Sequence, residues 1–329
     1  MSGIEMMKQD KLRIAVIGVG HLGEYHLQKY KAIPGVELVG VVDVDIDRVN
    51  EIAQRYNTKA YRNHGEILDR VDAVSLAVTT EMHFDVAKDV LAKGVHMLIE
   101  KPITYDLSEA DTLIRMARER DLVLQVGLIE RFNPAIIKME PMLNSPVFVE
   151  SHRMNLFTTR GLDVDVVLDL MIHDLDIILH VVPSEVKEIH AVGLPVITDK
   201  TDIANVRLIF ENGTAANLTA SRVSGKMLRK IRVFQPDAYI SADCGKRQLT
   251  VISLDSEKRD SDDFPLVDTS KEKYSESDPL NDEISSFISA VTNGSDPVVT
   301  GEDGRNALRV ALNIIDQIER GCKNFRPTL

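Results

Sequence analysis

A chain of 329 residues exceeds what one ordinary core organises, so two domains are expected. Its 39 basic and 51 acidic side chains leave a net charge of −12, which excludes a general nucleic-acid scaffold and a polybasic membrane binder. Any anionic ligand must therefore be held by a local cluster of donors. No apolar run approaches the ~18 residues of a membrane span. The mixed-charge start from Met1 to Arg13 has no signal-peptide core, so the cytoplasm is the expected compartment. Two cysteines, Cys244 and Cys322, cannot build a disulfide framework or a four-thiolate metal site.

Residues 13–18 (RIAVIG) form a short apolar run ending in glycine, the pattern of a buried parallel strand. A helix follows, with Leu22, His26, Tyr30 and Ile33 spaced as one face. Val36–Val42 reads as a second strand ending at Asp43, 47–56 as a helix, 73–78 as a strand, 83–93 as a helix and 95–99 as a strand. Ser108 is the expected N-cap of a helix over 109–120, and Val123–Val126 is a fifth strand. This alternation predicts a doubly wound parallel sheet, a Rossmann domain over residues 1–126.

The rhythm then changes. Strand-like runs at 147–153, 186–192, 203–210, 214–221, 230–235, 238–243 and 248–254, with a helix over 164–180, predict a second α+β domain over 127–329 dominated by one large sheet. Asn212-Gly213 marks a hairpin turn. The charged, Ser- and Asp-rich stretch 255–280 reads as a mobile surface loop. Two amphipathic helices close the chain. One carries Ile284, Phe287, Ile288 and Val291, and the other Leu308, Ala311, Ile315 and Ile318; the stretch 303–321 is expected to pack back toward the first domain.

Gly18-Val19-Gly20-His21-Leu22-Gly23 is a G-x-G-x-x-G run placed directly after a strand and opening a helix, the context that the dinucleotide motif requires. The first glycine permits the tight turn, the second lets backbone approach a pyrophosphate, and the third lets helix and strand pack closely. Phosphates would sit over the helix N-terminus. Asp43, 20 residues after Gly23, can accept hydrogen bonds from ribose hydroxyls and would repel a 2′-phosphate, aided by Asp45 and Asp47. The nearest arginine after it, Arg48, is five residues on, so NAD is expected over NADP.

Glu100-Lys101-Pro102 follows the fourth strand, at the end of the sheet where doubly wound folds bind ligands. Asp169 and His173 lie four apart in the expected helix and share a face among apolar neighbours, so Asp169 can orient the imidazole. The remaining histidines show no metal-ligand spacing, and no metal is expected.

The glycine loop, the Glu-Lys-Pro tripeptide and the D-x-x-x-H pair, in this order and over nearly the whole chain, resemble the glucose–fructose oxidoreductase / inositol dehydrogenase / MocA (Gfo/Idh/MocA) family of NAD(P)-dependent sugar oxidoreductases. Many members carry glycine two residues after the aspartate, where Met171 stands here. The resemblance implies a C-terminal domain with a broad open, mostly antiparallel sheet, and homodimers or homotetramers built through it. It also implies that Gly18, Gly20, His21, Leu22, Gly23, Asp43, Thr79, Glu100 and Lys101 contact NAD, and that Lys101, Asp169 and His173 are catalytic. His173 would take the proton of a sugar hydroxyl while Lys101 stabilises the developing alkoxide; which of the two is the base varies among members.

Glu130-Arg131-Phe132-Asn133-Pro134, the segment 169–174 and the segment 219–224 resemble the subgroup that oxidises nucleotide sugars, making 3-keto sugars from UDP-N-acetylglucosamine for lipid A. A pyrophosphate-bearing substrate needs local counter-charges, for which Arg131, Arg153, Arg160 and Arg222 are the candidates, with Asn133 as a further substrate-binding residue. A neutral-polyol dehydrogenase, an NAD-dependent glycoside hydrolase and a non-catalytic NAD sensor are the alternatives; retention of all three catalytic residues argues against the sensor.

Overall fold

The computed structural model describes residues 11–158, 164–259 and 265–322. They divide into two compact units, one holding the described residues up to Gly127 together with Leu280–Arg305, the other Leu128–Pro279 together with those from Asn306 onward. Among the described residues the α-helices are α1 (His21–Ala32), α2 (Ile46–Tyr56), α3 (Thr80–Ala92), α4 (Leu107–Arg118), α5 (Pro134–Met139), α6 (Ile172–Val181), α7 (Pro279–Asn293) and α8 (Gly301–Cys322).

The first unit is built on β1 (Leu12–Ile17), β2 (Val36–Val42), β3 (Lys59–Tyr61), β4 (Ala73–Leu76), β5 (His96–Glu100) and β6 (Leu124–Gly127). All pair in parallel, in the order β3-β2-β1-β4-β5-β6. Ile14, Ala15 and Val16 are fully buried, which explains the unbroken apolar run of β1: helices cover both faces of a parallel sheet. Strand order reverses between β1 and β4, and in open α/β sheets the crevice at such a switch point receives the ligand.

Helix α7 departs from the expected domain division. Its Ile284, Phe287 and Ala290 share a core with Ile14, Val16, Leu27, Tyr30 and Ile52, so Leu280–Arg305 completes the first unit. In α8, Arg305 pairs with Asp111 of the first unit, whereas from Asn306 the helix belongs to the second, where Gln317 donates to Ile189 O at 2.8 Å.

The second unit carries β7 (Phe148–Met154), β8 (Val186–Leu194), β9 (Ile203–Phe210), β10 (Ala215–Ser221), β11 (Leu228–Gln235), β12 (Ala238–Asp243), β13 (Gln248–Arg259) and β14 (Pro265–Lys273). They form one sheet in the order β14-β13-β12-β11-β7-β10-β9-β8, antiparallel except for the β7–β10 pair. One face is buried, as the alternation of β7 and β9 shows, and the other is only half covered. The Asn212-Gly213 turn closes β9 onto β10: Gly213 has φ of +87° and Asn212 Oδ1 accepts from Thr214 N at 3.0 Å.

Three local expectations need correction. The stretch expected as a loop contains the end of β13 and all of β14, because antiparallel main-chain pairing with β13 holds a charge-rich edge strand whose composition mimics a loop. Helix α4 starts two residues earlier than expected: Asp106, not Ser108, is the N-cap, its Oδ1 accepting from Ser108 N at 2.7 Å. Leu22 is half exposed instead of buried, since it lies in the open first turn of α1. No helix of the described residues is long and apolar enough to cross a membrane.

Candidate active site

The three glycines of the loop after β1 are required for three different reasons. Gly18 has φ of +86°, and a Cβ there would lie 2.6 Å from Ala77 O. A Cβ on Gly23 would lie 1.8 Å from Gly18 O, so α1 can start this close to the loop only without a side chain. Gly20 faces open space, with nothing within 4 Å of the position a Cβ would take. Gly20 is also the N-cap of α1 and brings no side-chain hydrogen bond. The first turn of α1 therefore presents its N–H groups and the positive end of its dipole to whatever occupies that space, which suits a phosphate.

Asp43, just past β2, closes the loop from the other side. Its Oδ2 accepts from Val19 N at 2.8 Å and its Oδ1 from Asp45 N at 3.0 Å. Two backbone donors thus fix the orientation of the carboxylate. Asp45 is the N-cap of α2, accepting from Asp47 N and Arg48 N. Arg48 is committed to Val19 O at 3.1 Å and to Glu24 at 2.6 Å, so the arginine nearest the ribose end is already neutralised. A cradle for a pyrophosphate beside a fixed carboxylate fits NAD and disfavours a 2′-phosphate.

Parallel register places Asp43, Gly18, Ala77, Glu100 and Gly127 in one row along the C-terminal edge of the sheet. Thr79, at the N-cap of α3, follows from the same edge. Lys101 is half-buried after β5, and the Lys101-Pro102 peptide is cis. Behind it lies a buried polar cluster that the sequence did not announce. His26 Nε2 meets Glu100 Oε1 at 2.9 Å, His26 Nδ1 meets Ser75 Oγ at 3.0 Å, and Ser75 Oγ meets Tyr30 Oη at 2.7 Å. Burial works to raise the Glu100 carboxyl, yet the His26 hydrogen bond and charge hold it below the usual carboxylate range. Burial raises the Tyr30 phenol. His83, also buried, has Nδ1 at 2.9 Å from Pro102 O and Nε2 at 3.2 Å from Val78 O; burial lowers its pKa, so the imidazole is neutral and supports the turn around Pro102.

In the second unit, Asp169 lies in a π-helical turn, Val167–Met171, that runs into α6, where His173 is the second residue. The expected uniform helix over 164–180 is therefore interrupted at the aspartate. Such wide turns inside helices frequently mark functional sites. Both side chains are half-buried.

The expected substrate-binding cluster does not exist as such. Arg153 is 3% exposed and binds Asp174 through Nε at 3.0 Å and NH2 at 2.6 Å, and Glu130 through NH1 at 2.7 Å. Arg131 is 6% exposed and holds Asp176 at 2.8 and 3.2 Å. Asn133 caps α5 and donates to Glu130 and to Cys244 O. Arg222 is buried and donates to Val164 O at 2.6 Å, with Asp202 at 3.8 Å. The polar groups of these four residues are engaged in contacts within the second unit. Arg160 lies outside the described residues. The missed signal was periodicity: Arg153 shares the buried phase of β7 with Val149 and Ser151, and an arginine in that phase must find internal carboxylates. Asp174 and Glu130 supply them to Arg153, and Asp176 to Arg131. Cys244 lies against this network, and burial raises its thiol.

The glycine loop, the ribose carboxylate and the lysine at the end of β5 define a dinucleotide-dependent oxidoreductase. The chain belongs to the Gfo/Idh/MocA family: residues 12–128 match the oxidoreductase family with an NAD-binding Rossmann fold, and residues 144–240 match the GFO/IDH/MocA C-terminal domain. It is 40% identical over 94% of its length to UDP-N-acetylglucosamine 3-dehydrogenase of Acidithiobacillus ferrooxidans, covering 97% of that protein. It is 29% identical to myo-inositol 2-dehydrogenase of Thermotoga maritima, over 90% of this chain and 93% of that one. The solved structure of the Acidithiobacillus enzyme superposes with a TM-score of 0.88 at 39% identity, over 94% of this chain and 98% of that one. The cofactor is NAD.

Proposed function

We propose that this protein oxidises the 3-hydroxyl of UDP-N-acetylglucosamine, or of a closely related nucleotide sugar, to the 3-keto sugar. The observation that carries this reading is 40% identity over nearly the full length of both chains to an enzyme of that activity. NAD, when bound, supplies the hydride acceptor; the chain handles the proton. Lys101 and His173 serve the hydroxyl being oxidised, one taking its proton and the other hydrogen-bonding the same oxygen as negative charge develops, while Asp169 orients the imidazole. The positive charge of the oxidised cofactor favours the deprotonated oxygen. Gly18, Gly20, His21, Leu22 and Gly23 hold the pyrophosphate, Asp43 the ribose, and Thr79, Glu100 and Lys101 the nicotinamide end. Of the residues expected to hold the substrate's own anion, Arg160 is carried forward. The protein works in the cytoplasm as a homodimer or homotetramer built through the half-covered sheet face, where Asn205, Arg207, Asn217 and Arg232 lie. A 3-keto sugar is the substrate an aminotransferase needs to make a 3-amino sugar, which places the reaction in lipid A supply.

A second reading, oxidation of a neutral polyol, is favoured by one observation: Arg131, Arg153 and Arg222 are spent on internal contacts. NADH absorbance with NAD⁺ and UDP-N-acetylglucosamine, against myo-inositol and other free polyols, separates the two. Turnover with polyols alone refutes the first reading. Lys101→Ala and His173→Ala each lower turnover by ~10²-fold or more with NAD⁺ affinity retained; normal turnover in either variant removes that residue from the chemistry.

A further inference from the structure

Glu283, on α7, is 1% exposed and lies in the polar cluster behind Lys101. One of its carboxylate oxygens, a ring nitrogen of His26 and a carboxylate oxygen of Glu100 all lie within 4.8 Å of one another. Neither Glu283 oxygen has a hydrogen-bond donor, and Gln125 Oε1, equally buried, has none either. Gln125 itself is anchored, since its Nε2 donates to Glu283 O at 3.1 Å. The hydroxyls of Tyr30 and Ser75 and the imidazole of His26 form one directional chain when the imidazole is neutral: Tyr30 O–H to Ser75, Ser75 O–H to His26 Nδ1, and His26 Nε2–H to Glu100. That chain uses every side-chain donor in the cluster and ends on Glu100. Lys101 N adds a contact to Glu100 Oε2 at 3.3 Å, and Gly127 presses against the same carboxylate, where a Cβ would come within 3.1 Å of it.

The cluster is therefore rich in acceptors and one donor short. A bare second carboxylate here would be unpaired, desolvated and beside a like charge, which no buried group sustains. A proton on one of the two carboxyls resolves this directly, since it removes one charge and supplies the missing donor. The direct 2.9 Å contact between His26 and Glu100 leaves no gap for an ion between those two ligands, and the other ring nitrogen is engaged by Ser75.

We propose that Glu283 is a positioning residue held as a neutral carboxylic acid: its proton is donated to Glu100, so the buried group behind Lys101 carries one negative charge instead of two and the Glu-Lys-Pro turn is braced from inside. Burial, and then the charge of Glu100, push the Glu283 carboxyl well above the usual range, in the direction this requires. The role assigned to the brace rests on the reading that Lys101 serves the reacting hydroxyl; the protonation state does not.

The test is an infrared difference spectrum of wild type against Glu283→Gln at neutral pH, in H₂O and in D₂O, with metal analysis of the same samples. The expected result is a deuterium-sensitive carbonyl band of a protonated carboxyl, present in wild type, absent in the variant, with no stoichiometric metal in either. A missing band, or a bound ion that disappears in Glu283→Gln, overturns the proposal. Turnover gives a second readout. Glu283→Ala, which leaves Glu100 without its donor, lowers kcat about tenfold with the KM for NAD⁺ held, and Glu283→Gln, which restores a donor, recovers most of that loss. Gln no better than Ala refutes the donor role. If the Ala variant does not fold, the infrared comparison alone decides. Because that comparison needs no substrate, inactivity toward UDP-sugars would sink the proposed function and leave Glu283 untouched.

Discussion

Arg153→Ala separates a structural arginine from a ligand-binding one. The side chain makes three charge-assisted hydrogen bonds, to Asp174 and Glu130, which are themselves 2% and 7% exposed. Although burial opposes it, Asp174 and Glu130 hold the guanidinium pKa well above its ordinary value. Burial likewise opposes ionisation of Glu130, and Arg153 is the main influence that brings it below the usual carboxylate range. Removing the arginine takes both hydrogen bonds from Asp174 and leaves Glu130 with the Asn133 amide and the more distant Arg229 at 3.9 Å. Breaking one buried pair this way costs about 3–5 kcal/mol, and the added loss of the main cation at Glu130 places this variant at the upper end. With a urea m-value of about 3 kcal/mol/M, the unfolding midpoint of the second unit falls by about 1.5 M. The assay is urea unfolding followed by circular dichroism, alongside the KM for UDP-N-acetylglucosamine measured where the variant remains folded. An unchanged midpoint with a large rise in that KM would refute the reasoning, because it would mean that the arginine faces substrate and not its own carboxylates.

Asp43→Ala removes the acceptor expected to bind ribose and the negative charge beside Val19, so the preference for NAD⁺ over NADP⁺ weakens; unchanged discrimination in kcat/KM would place the ribose contact elsewhere. Gly23→Ala puts a methyl 1.8 Å from Gly18 O, so NAD⁺ affinity by titration falls steeply, whereas Gly35→Ala, where nothing lies within 4 Å but φ is +83°, leaves it unchanged and loses only stability. Asp202 is fully buried and, though burial acts to raise its pKa, the N–H groups of Val196, Ile197 and Thr198 with the Thr198 hydroxyl bring it down to about 2. Its folded-state pKa lies below the unfolded value near 3.8, so the carboxylate contributes about 2 kcal/mol above pH ~4 and loses it as the pH falls toward 2. Asp202→Asn should flatten that acid limb of the stability curve; an unaltered limb would show that the loop donors do not favour the ionised form.

Local chain chemistry settled the glycine loop and five of the six strands of the first sheet, but neither the short β3 nor the place of α7 in that unit. Apolar runs alternating with amphipathic helices specify a parallel sheet because both faces are covered, and the glycine loop and Asp43 are legible because each answers a constraint acting within a few tens of residues. The hairpin at Asn212-Gly213 and most strands of the second sheet were readable for the same reason, since period-two patterning and a turn are local signals. What the tertiary structure alone decided is where charged side chains find their partners. Arg131, Arg153 and Arg222 look like free cations in one dimension, and the acids that neutralise them lie between 20 and 45 positions away, a separation at which spacing carries no information. Glu283 is the same case in reverse: at four residues before Phe287 it sits on the core-facing stripe of α7, and only packing of that helix against the Rossmann sheet turns a routine surface acid into a buried one beside Glu100. Sequence patterns report which faces are covered; the desolvation of a charge depends on what covers it, and that is settled only when distant segments meet.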